Sequence, residues 1–330
     1  MAIDTPRRLN LVLVGLGNQG QEHLLGMRDS QFTQFVAGVD PAASQRELTI
    51  KRYPQLRVFA SLDELAAAGL PLDGMVLCLP HHCYQQTWPQ IAQFHLPVLK
   101  EKPLARNLEE ARELLASLPG KRLKTAIQRR HHASYQFLHA QLLRDQARVS
   151  QANAWLHLGR MASPATGDWR SQQAEAGGGI LLDAGYHLVD LLHYLVGPVE
   201  LVNCTTWGQG QRSAAGSVED EALLLARNAN CWVLIDARLG GEPGPDARPQ
   251  KSEGIRLATD RGIYEANRTQ VWHEGECLWQ GEQHWEQAMT RQLDEFAQDI
   301  MSNQWDASSY WDQLPAMQLI ENAYQLSRRY

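Results

Sequence analysis

The stretch from Leu11 to Gly20 reads Leu-Val-Leu-Val-Gly-Leu-Gly-Asn-Gln-Gly. A short apolar run that ends at a glycine is typical of a strand buried on both faces of a parallel sheet. The glycines that follow have the Gly-x-Gly-x-x-Gly spacing of a dinucleotide-binding turn, which joins such a strand to a helix and receives a pyrophosphate at the helix N-terminus. We therefore predict cofactor contacts from Gly15, Gly17, Asn18, Gln19 and Gly20.

Apolar runs alternate with amphipathic stretches over the first 130 residues. Such alternation predicts βαβ units around a parallel sheet. The stretch Ser61 to Ala68 opens with a serine and has Glu64 three residues later, which indicates a capped helix, and a second helix is predicted from Asn107 to Leu118. The α/β fold predicted for residues 1–130 is a Rossmann domain with a doubly wound parallel sheet. Its predicted strands are Leu11–Val14, Phe35–Val39, Met75–Leu79, Pro97–Leu99 and Leu123–Ile127.

The pattern changes after Arg130, which predicts a second, α+β domain over residues 131–330. Helix Tyr135 to Gln146 leads to an alternating run, Gln151 to Leu158, and the later helix Ile180 to Leu195 precedes several further runs. These runs predict an open-faced, mostly antiparallel sheet, and two helices, about 283–301 and 310–328, end the chain. The further predicted strands are Glu200–Trp207, Glu221–Arg227, Cys231–Leu239, Gly254–Ala258 and Gln270–Trp272.

The composition is that of an ordinary folded protein, with 44% hydrophobic and 21% charged residues. A net charge of -6 and a pI of about 6.1 disfavour nucleic acid as a partner. No apolar stretch is long enough to predict a membrane span or a signal peptide. The five cysteines are scattered, which is typical of reduced thiols and favours a cytoplasmic location. They are Cys78, Cys83, Cys204, Cys231 and Cys277.

Asp40 ends the second apolar run, 20 residues after Gly20. An acid at this position accepts hydrogen bonds from the adenosine ribose hydroxyls and repels a 2′-phosphate. No arginine directly follows Asp40, although Arg46 lies one helical turn later, so NADP(H) is kept as the alternative. The pattern favours NAD(H) as the cofactor.

Two segments carry residues suited to proton and hydride chemistry. Lys102 follows the predicted strand Pro97 to Leu99, and ligands of doubly wound sheets bind at the carboxyl ends of the strands. On a regular helix, Asp183 and His187 lie about 40° apart around the axis. Histidine suits the removal of a hydroxyl proton near neutral pH, and an ammonium stabilises the developing alkoxide. We predict that His187 is the base, Lys102 the electrostatic partner and Asp183 the orienting acid, while Asp190 ties the helix to a neighbouring strand.

Together these segments resemble the glucose-fructose oxidoreductase, inositol dehydrogenase and rhizopine-catabolism (Gfo/Idh/MocA) family over nearly the whole chain. The motifs that carry the resemblance are Gly15 to Gly20, Asp40, Glu101-Lys102-Pro103 and the segment Gly178 to Asp190. The resemblance implies a hydride-transferring oxidoreductase that acts on a secondary alcohol or ketone of a sugar, cyclitol or sugar nucleotide. It further implies Lys102, Asp183 and His187 as the catalytic trio.

The resemblance also assigns further contacts. It places Glu101 and Pro80 beside the cofactor, Arg129, Arg130 and Tyr135 along the substrate crevice, and Trp169-Arg170 in a mobile loop over the site. It implies that the open-faced sheet mediates a homodimer or homotetramer. Nine of the ten tryptophans follow residue 150, and we interpret most of them as core or subunit-interface residues. The segment Leu79-Pro80-His81-His82-Cys83-Tyr84 departs from the family's usual Thr-Pro-Asn-x-x-His, which puts the local nicotinamide contacts in doubt.

Alternative interpretations stay open. His81, His82 and Cys83 are adjacent and cannot easily converge on one ion, so no metal is predicted. A dinucleotide-binding sensor without turnover would have no chemical need for Lys102 and His187 together. An imine reductase or an NAD-dependent glycosidase on the same scaffold is a further alternative, and net cofactor consumption distinguishes the reductase from the glycosidase, which shows none.

Overall fold

The chain forms two compact units in a computed structural model that describes residues 7–117, 122–159, 169–208, 218–240, 251–282, 284–303, 305 and 313–327. The first unit comprises Met1–Leu104, Arg112–His131 and His284–Trp311. The second comprises Ala105–Ala111, His132–Gln283 and Asp312–Tyr330. Neither unit is therefore one continuous stretch of chain, and the predicted domain boundary at residues 130 and 131 stays a prediction.

The first unit is built on a six-stranded sheet in the order β3-β2-β1-β4-β5-β6. All of its strand pairs are parallel. The strand order reverses between β1 and β4, and doubly wound sheets bind ligands at the carboxyl edge of such a point. The strands are β1 (Leu9–Val14), β2 (Thr33–Val39), β3 (Arg57–Phe59), β4 (Gly74–Leu77), β5 (Val98–Glu101) and β6 (Leu123–Ala126).

Helices connect and cover these strands. They are α1 (Asn18–Gly26), α2 (Ala43–Arg52), α3 (Leu62–Ala67), α4 (Cys83–Gln93) and α5 (Leu108–Ser117), with α9 (Trp285–Ser302) from the later part of the chain. The Ser61 hydroxyl accepts a hydrogen bond from the Glu64 amide at the start of α3, so the predicted cap is confirmed. Leu293 and Phe296 of α9 are fully buried in the core cluster that contains Leu11 and Leu13 of β1. This apolar contact explains why α9 belongs to the first unit.

The second unit contains an eight-stranded sheet in the order β14-β13-β12-β11-β7-β10-β9-β8. Its pairs are antiparallel except for β7 with β10. The strands are β7 (Val149–Leu158), β8 (Glu200–Trp207), β9 (Glu221–Arg227), β10 (Trp232–Leu239), β11 (Lys251–Thr259), β12 (Gly262–Ala266), β13 (Gln270–His273) and β14 (Glu276–Gln280). The helices are α6 (Ala133–Arg144), the short α7 (Gln173–Ala176), α8 (Tyr186–Val196) and α10 (Gln313–Ser327).

The predicted fold class, a Rossmann sheet followed by a mostly antiparallel sheet, is confirmed. Sequence patterning missed β3, β12 and β14, which are three to five residues long. The described tryptophans after residue 150 are all at least partly exposed, and Trp305 packs against the core of the first unit, so their assignment to core or subunit interface stays a prediction. Residues 160–168 and 241–250 lie outside the described residues. Within the described ranges, no helix combines the length and the apolar character that crossing a membrane requires.

Candidate active site

The glycine-rich turn between β1 and α1 has the geometry that its sequence demands. Gly15 has a φ of +94°, and a Cβ there would lie 2.3 Å from the carbonyl oxygen of Cys78. A Cβ at Gly20 would lie 2.1 Å from the carbonyl oxygen of Gly15. The turn therefore packs backbone against backbone at two of its glycines, which side chains would prevent.

Gly17 differs, because a Cβ there would meet no atom of the described residues within 4 Å. Helix α1 begins directly after it, has no side-chain hydrogen bond at its N-cap and has no acid in its first turn. Exposed amide groups and the helix dipole at such an end favour an anion. The turn thus fits a dinucleotide pyrophosphate, with exposed Asn18 and half-buried Gln19 beside it.

Asp40 lies directly after β2 and is 9% exposed. Its carboxylate accepts hydrogen bonds from the amides of Leu16 at 2.8 Å and Ala42 at 2.9 Å. Each carboxylate oxygen has two lone pairs, so ribose hydroxyls can still donate to it. The Arg46 guanidinium donates to the carbonyl oxygens of Asp40 and Pro41 at 2.8 and 2.7 Å. These hydrogen bonds therefore hold the Asp40 carboxylate at the carboxyl edge of the sheet.

Glu101 ends β5 and is hydrogen-bonded to two residues of α1. Its Oε1 atom accepts a hydrogen bond from the Gln19 amide at 3.1 Å and lies 2.8 Å from Nε2 of fully buried His23. Sequence patterning did not single out His23, because a histidine on an apolar helix face gives no distinct signal. These contacts fix the end of β5 to the glycine turn.

His23, Glu101 and Cys78 also form a group with ligand atoms within 4.8 Å of one another. Burial raises the pKa of the Cys78 thiol well above 9.0, which favours its neutral form. His23 and Glu101 are hydrogen-bonded to each other. We therefore interpret the group as a hydrogen-bonded part of the glycine turn.

Lys102 follows β5 directly, at the same edge of the sheet as the glycine turn, and is partly exposed. Its peptide bond to Pro103 is cis. The half-buried Pro80 follows β4, and its carbonyl oxygen accepts a hydrogen bond from the Cys83 amide at 3.0 Å. The first unit thus brings most of the predicted cofactor residues and Lys102 to one edge of one sheet.

In the second unit, Asp183 and His187 do not lie on one regular helix. Residues Leu181–Gly185 form a π-helical turn, and α8 begins only at Tyr186. The expected separation of about 40° on an α-helix is therefore wrong. π-Helical turns are rare in proteins, and those that occur are often found at functional sites. His187 is 7% exposed, and Asp183 is partly exposed.

Glu219 holds the start of this π-helical segment, and sequence reasoning missed it because no motif surrounds it. Its carboxylate accepts hydrogen bonds from the amides of Gly179 at 2.8 Å and Leu181 at 3.0 Å, and from the Tyr324 hydroxyl at 2.7 Å. A Cβ at Gly179 would lie 2.0 Å from the Glu219 carbonyl oxygen. Burial raises the pKa of Glu219 above its ordinary value of 4.5, although these hydrogen bonds oppose the rise.

Glu219→Gln should lower the free energy of unfolding by about 1–3 kcal/mol, because Gln presents an NH₂ group where the carboxylate accepts amide hydrogens. Because the pKa of Glu219 is raised in the folded state, its contribution to the free energy of unfolding is complete below pH 4.5. That contribution declines as the pH rises through the pKa of the folded state. The difference between wild type and variant should therefore shrink between pH 4 and pH 8. Urea unfolding at several pH values measures it, with Tyr324→Phe as the control that keeps the carboxyl. A difference that is constant over this range would contradict the assignment.

Asp190 is fully buried and accepts a hydrogen bond from the Gln313 amide at 3.0 Å. The Gln313 carbonyl in turn accepts one from the Tyr186 hydroxyl at 2.9 Å. Asp190 therefore ties α8 to the helix α10, in keeping with a structural role, and its expected contact with a neighbouring strand stays a prediction. The polar chain fixes the residue that precedes His187.

The predicted substrate residues are distributed over both units. Arg129 and Arg130 lie in the 3-10 turn Gln128–His131, where Arg129 is 3% exposed and Arg130 is partly exposed. Tyr135, on α6, is buried with its ring edge against His132. The Arg170 guanidinium lies 4.4 Å from the centroid of the Trp169 ring. Their contacts with substrate stay predictions.

Two family models match the chain. The model described as "Oxidoreductase family, NAD-binding Rossmann fold" matches residues 9–128, and the GFO/IDH/MocA C-terminal domain matches residues 147–239. A curated relative, the putative UDP-kanosamine synthase oxidoreductase subunit of Amycolatopsis mediterranei (strain S699), is 28% identical over 268 residues. That alignment covers 75% of this chain and 73% of the relative.

Solved structures share the fold. Levoglucosan dehydrogenase in complex with NADH is 16% identical with a TM-score of 0.83, and the match covers 98% of each chain. The WlbA dehydrogenase from Bordetella pertussis, in complex with NADH and UDP-GlcNAcA, is 19% identical with a TM-score of 0.82, covering 98% of this chain and 97% of that one. The matched models cover the first sheet and strands β7 to β10 of the second, together with the glycine turn, Lys102, Asp183 and His187. The chain therefore belongs to the Gfo/Idh/MocA family of NAD-binding oxidoreductases.

Proposed function

We propose that the chain transfers a hydride between NAD(H) and a secondary alcohol or ketone of a sugar, cyclitol or sugar nucleotide. The observation that carries this proposal is the common position of a glycine turn, Asp40 and Lys102 at the carboxyl edge of one parallel sheet. This arrangement supplies a dinucleotide site and a cation suited to an alkoxide at the same edge. The names of the relatives, which include sugar-nucleotide and anhydrosugar enzymes, support the substrate class.

In the proposed mechanism, bound NAD⁺ supplies the hydride acceptor. His187 removes the hydroxyl proton of the substrate, while the Lys102 ammonium stabilises the negative charge that develops on the oxygen. Asp183 orients the substrate or the imidazole. In the reverse direction, Lys102 polarises the carbonyl and His187 returns the proton. Arg129, Arg130, Tyr135, Trp169 and Arg170 are proposed to contact the remaining substrate hydroxyls or its phosphates.

Absorbance at 340 nm tests this proposal with purified protein, NAD⁺ and a panel of cyclitols, free sugars and nucleotide sugars. We expect net formation of NADH with at least one member of the panel. Silence across the panel from protein that binds NADH would contradict the proposed reaction. Product formation without net NADH would instead identify transient oxidation, as in an NAD-dependent glycosidase.

Asp40→Ser combined with Pro41→Arg should change the cofactor preference toward NADP(H). Removing the carboxylate removes its repulsion of a 2′-phosphate, and the new guanidinium attracts that group. The ratio of the NADH and NADPH dissociation constants should change by about 10- to 100-fold. Competitive titration of the two reduced cofactors measures this ratio. Asp40→Asn is the control for the loss of hydrogen bonds from the Leu16 and Ala42 amides. An unchanged ratio of the two dissociation constants in the double variant would show that Asp40 is not at the ribose.

We also propose that the chain assembles as a homodimer or homotetramer through the exposed face of its eight-stranded sheet. Leu225 and Leu234 are paired across β9 and β10, and together with Trp232 they are 36–48% exposed on that face. An apolar face of this kind is typical of an interface. Sedimentation of Trp232→Glu should show dissociation relative to wild type, whereas a monomeric wild type would contradict the assembly.

A cytoplasmic location is proposed because all five cysteines are free thiols, which persist in a reducing compartment. Immunodetection in fractionated cells tests this location. Recovery in a secreted fraction would contradict it.

A further inference from the structure

Lys100 is a second lysine in the segment that carries Lys102, and its side chain is 1% exposed. Its Nζ donates hydrogen bonds to the carbonyl oxygens of Glu101 at 3.0 Å and Pro103 at 2.7 Å. These two carbonyls belong to the residues on either side of Lys102. A single buried ammonium therefore bridges the turn from which Lys102 projects.

Tyr84 covers this ammonium. The centroid of its ring lies 3.7 Å from Lys100 Nζ, which is a close cation–π contact between two buried groups. The Tyr84 hydroxyl donates to the carbonyl oxygen of Leu77 at 3.0 Å and accepts from the amide of Leu79 at 3.2 Å. The ring is thereby fixed to the end of β4, and Lys100 is held between β4 and the turn.

A buried ammonium is costly unless hydrogen bonds and opposite charge or a π-face compensate it. An aliphatic residue would fill this position of β5 without that cost, as Val98 and Leu99 do in the same strand. Lys100 makes the contacts described above with the turn that carries Lys102 and with Tyr84. Tyr84 stands where the family pattern usually has histidine. The cation is therefore placed to fix that turn rather than to fill the core.

We propose that Lys100 and Tyr84 are positioning residues, which hold the Glu101–Pro103 turn so that Lys102 presents its ammonium to the substrate oxygen. This inference rests on the proposed role of Lys102. It assigns a purpose to one part of the Leu79 to Tyr84 segment, whose sequence departs from the family pattern.

Hydrogen exchange of the intact protein tests the positioning without any substrate. In Lys100→Met, the amides of Glu101, Lys102 and Leu104 should exchange about tenfold faster, because hydrogen bonds from a charged donor to the turn are lost. Lys124→Met is the matched control, since Lys124 lies on the adjacent strand β6 but contacts Glu295 and Asp299 instead. It should leave exchange at the turn unchanged. Equal exchange in both variants would overturn the proposal.

Turnover provides the second measurement, with a substrate taken from the 340-nm panel. Lys100→Met should lower kcat about tenfold with little change in KM or in NADH affinity, and Lys100→Arg should restore part of that loss. In a Lys102→Ala background, Lys100→Met should cause no further loss, because it acts through the missing ammonium. Additive losses would overturn the proposal.

The two measurements separate failure of the positioning from failure of the proposed function. If Lys102→Ala retained full turnover, the role of Lys102 would be refuted, and with it the purpose assigned to Lys100, even if exchange showed that Lys100 fixes the turn. Should Lys100→Met not fold, Tyr84→Leu and Tyr84→Phe replace it. Tyr84→Leu removes the ring and should loosen the turn more than Tyr84→Phe, and equal exchange in these two variants would contradict the cation–π contact.

Discussion

Lys102→Ala should lower kcat by about 10²- to 10³-fold while the affinity for NADH stays nearly constant. The reason is that the ammonium is proposed to stabilise the negative charge that develops on the substrate oxygen as its proton is removed, or as hydride reaches the carbonyl in the reverse direction. Lys102 is partly exposed at the carboxyl edge of the sheet. Its neighbour Glu101 is hydrogen-bonded to Gln19 and His23 of α1. Steady-state absorbance at 340 nm gives kcat, and NADH fluorescence gives the dissociation constant.

Lys51→Ala is the control for the loss of a lysine, because Lys51 is an exposed residue in the last turn of α2. It should leave both quantities unchanged. A loss of NADH affinity in Lys102→Ala as large as the loss of kcat would show that Lys102 binds the cofactor instead. Unchanged kcat would remove it from the mechanism.

Five of the six strands of the first sheet were predictable from the sequence, because they are apolar runs and their turns carry their own signals, whereas β3 is only three residues long and was missed. Leu11 to Val14 and the glycines after them determine strand, turn and helix within ten residues. The edge strand β14 of the second sheet was not predictable in this way, unlike β8 at the other edge. Glu276–Gln280 is largely exposed, so no apolar alternation marks it.

The site roles inferred from residue type, as for Lys102, stay predictions, and sequence patterning failed where tertiary contacts decide the local structure. A π-helical turn at Leu181–Gly185 leaves no signature in a local sequence pattern. Glu219 acts on that turn from 38 to 40 residues further along the chain, and its partner Tyr324 lies on α10. Lys100, one residue past the predicted strand Pro97–Leu99, was likewise not singled out, because its contact with Tyr84 of helix α4 is a tertiary one.

Gly17→Ala should weaken NADH binding by about 10- to 100-fold without loss of folding stability. Its backbone has a φ of -67°, which alanine adopts readily, and a Cβ there meets no atom of the described residues within 4 Å. That open space is where the pyrophosphate is proposed to approach α1, so the methyl group would displace it from the helix amides. Losing one hydrogen bond to a charged group accounts for the expected factor.

Gly15→Ala is the matched variant, because the same methyl group is added two residues earlier in the same turn. Its φ of +94° disfavours alanine, and its Cβ would lie 2.3 Å from the carbonyl oxygen of Cys78. We therefore expect a loss of about 2–3 kcal/mol in the free energy of unfolding. Urea unfolding and NADH titration of both variants separate the two effects: Gly15 maintains the fold of the turn, and Gly17 keeps it open to the cofactor. If Gly17→Ala bound NADH as tightly as wild type, the pyrophosphate would not lie over the N-terminus of α1.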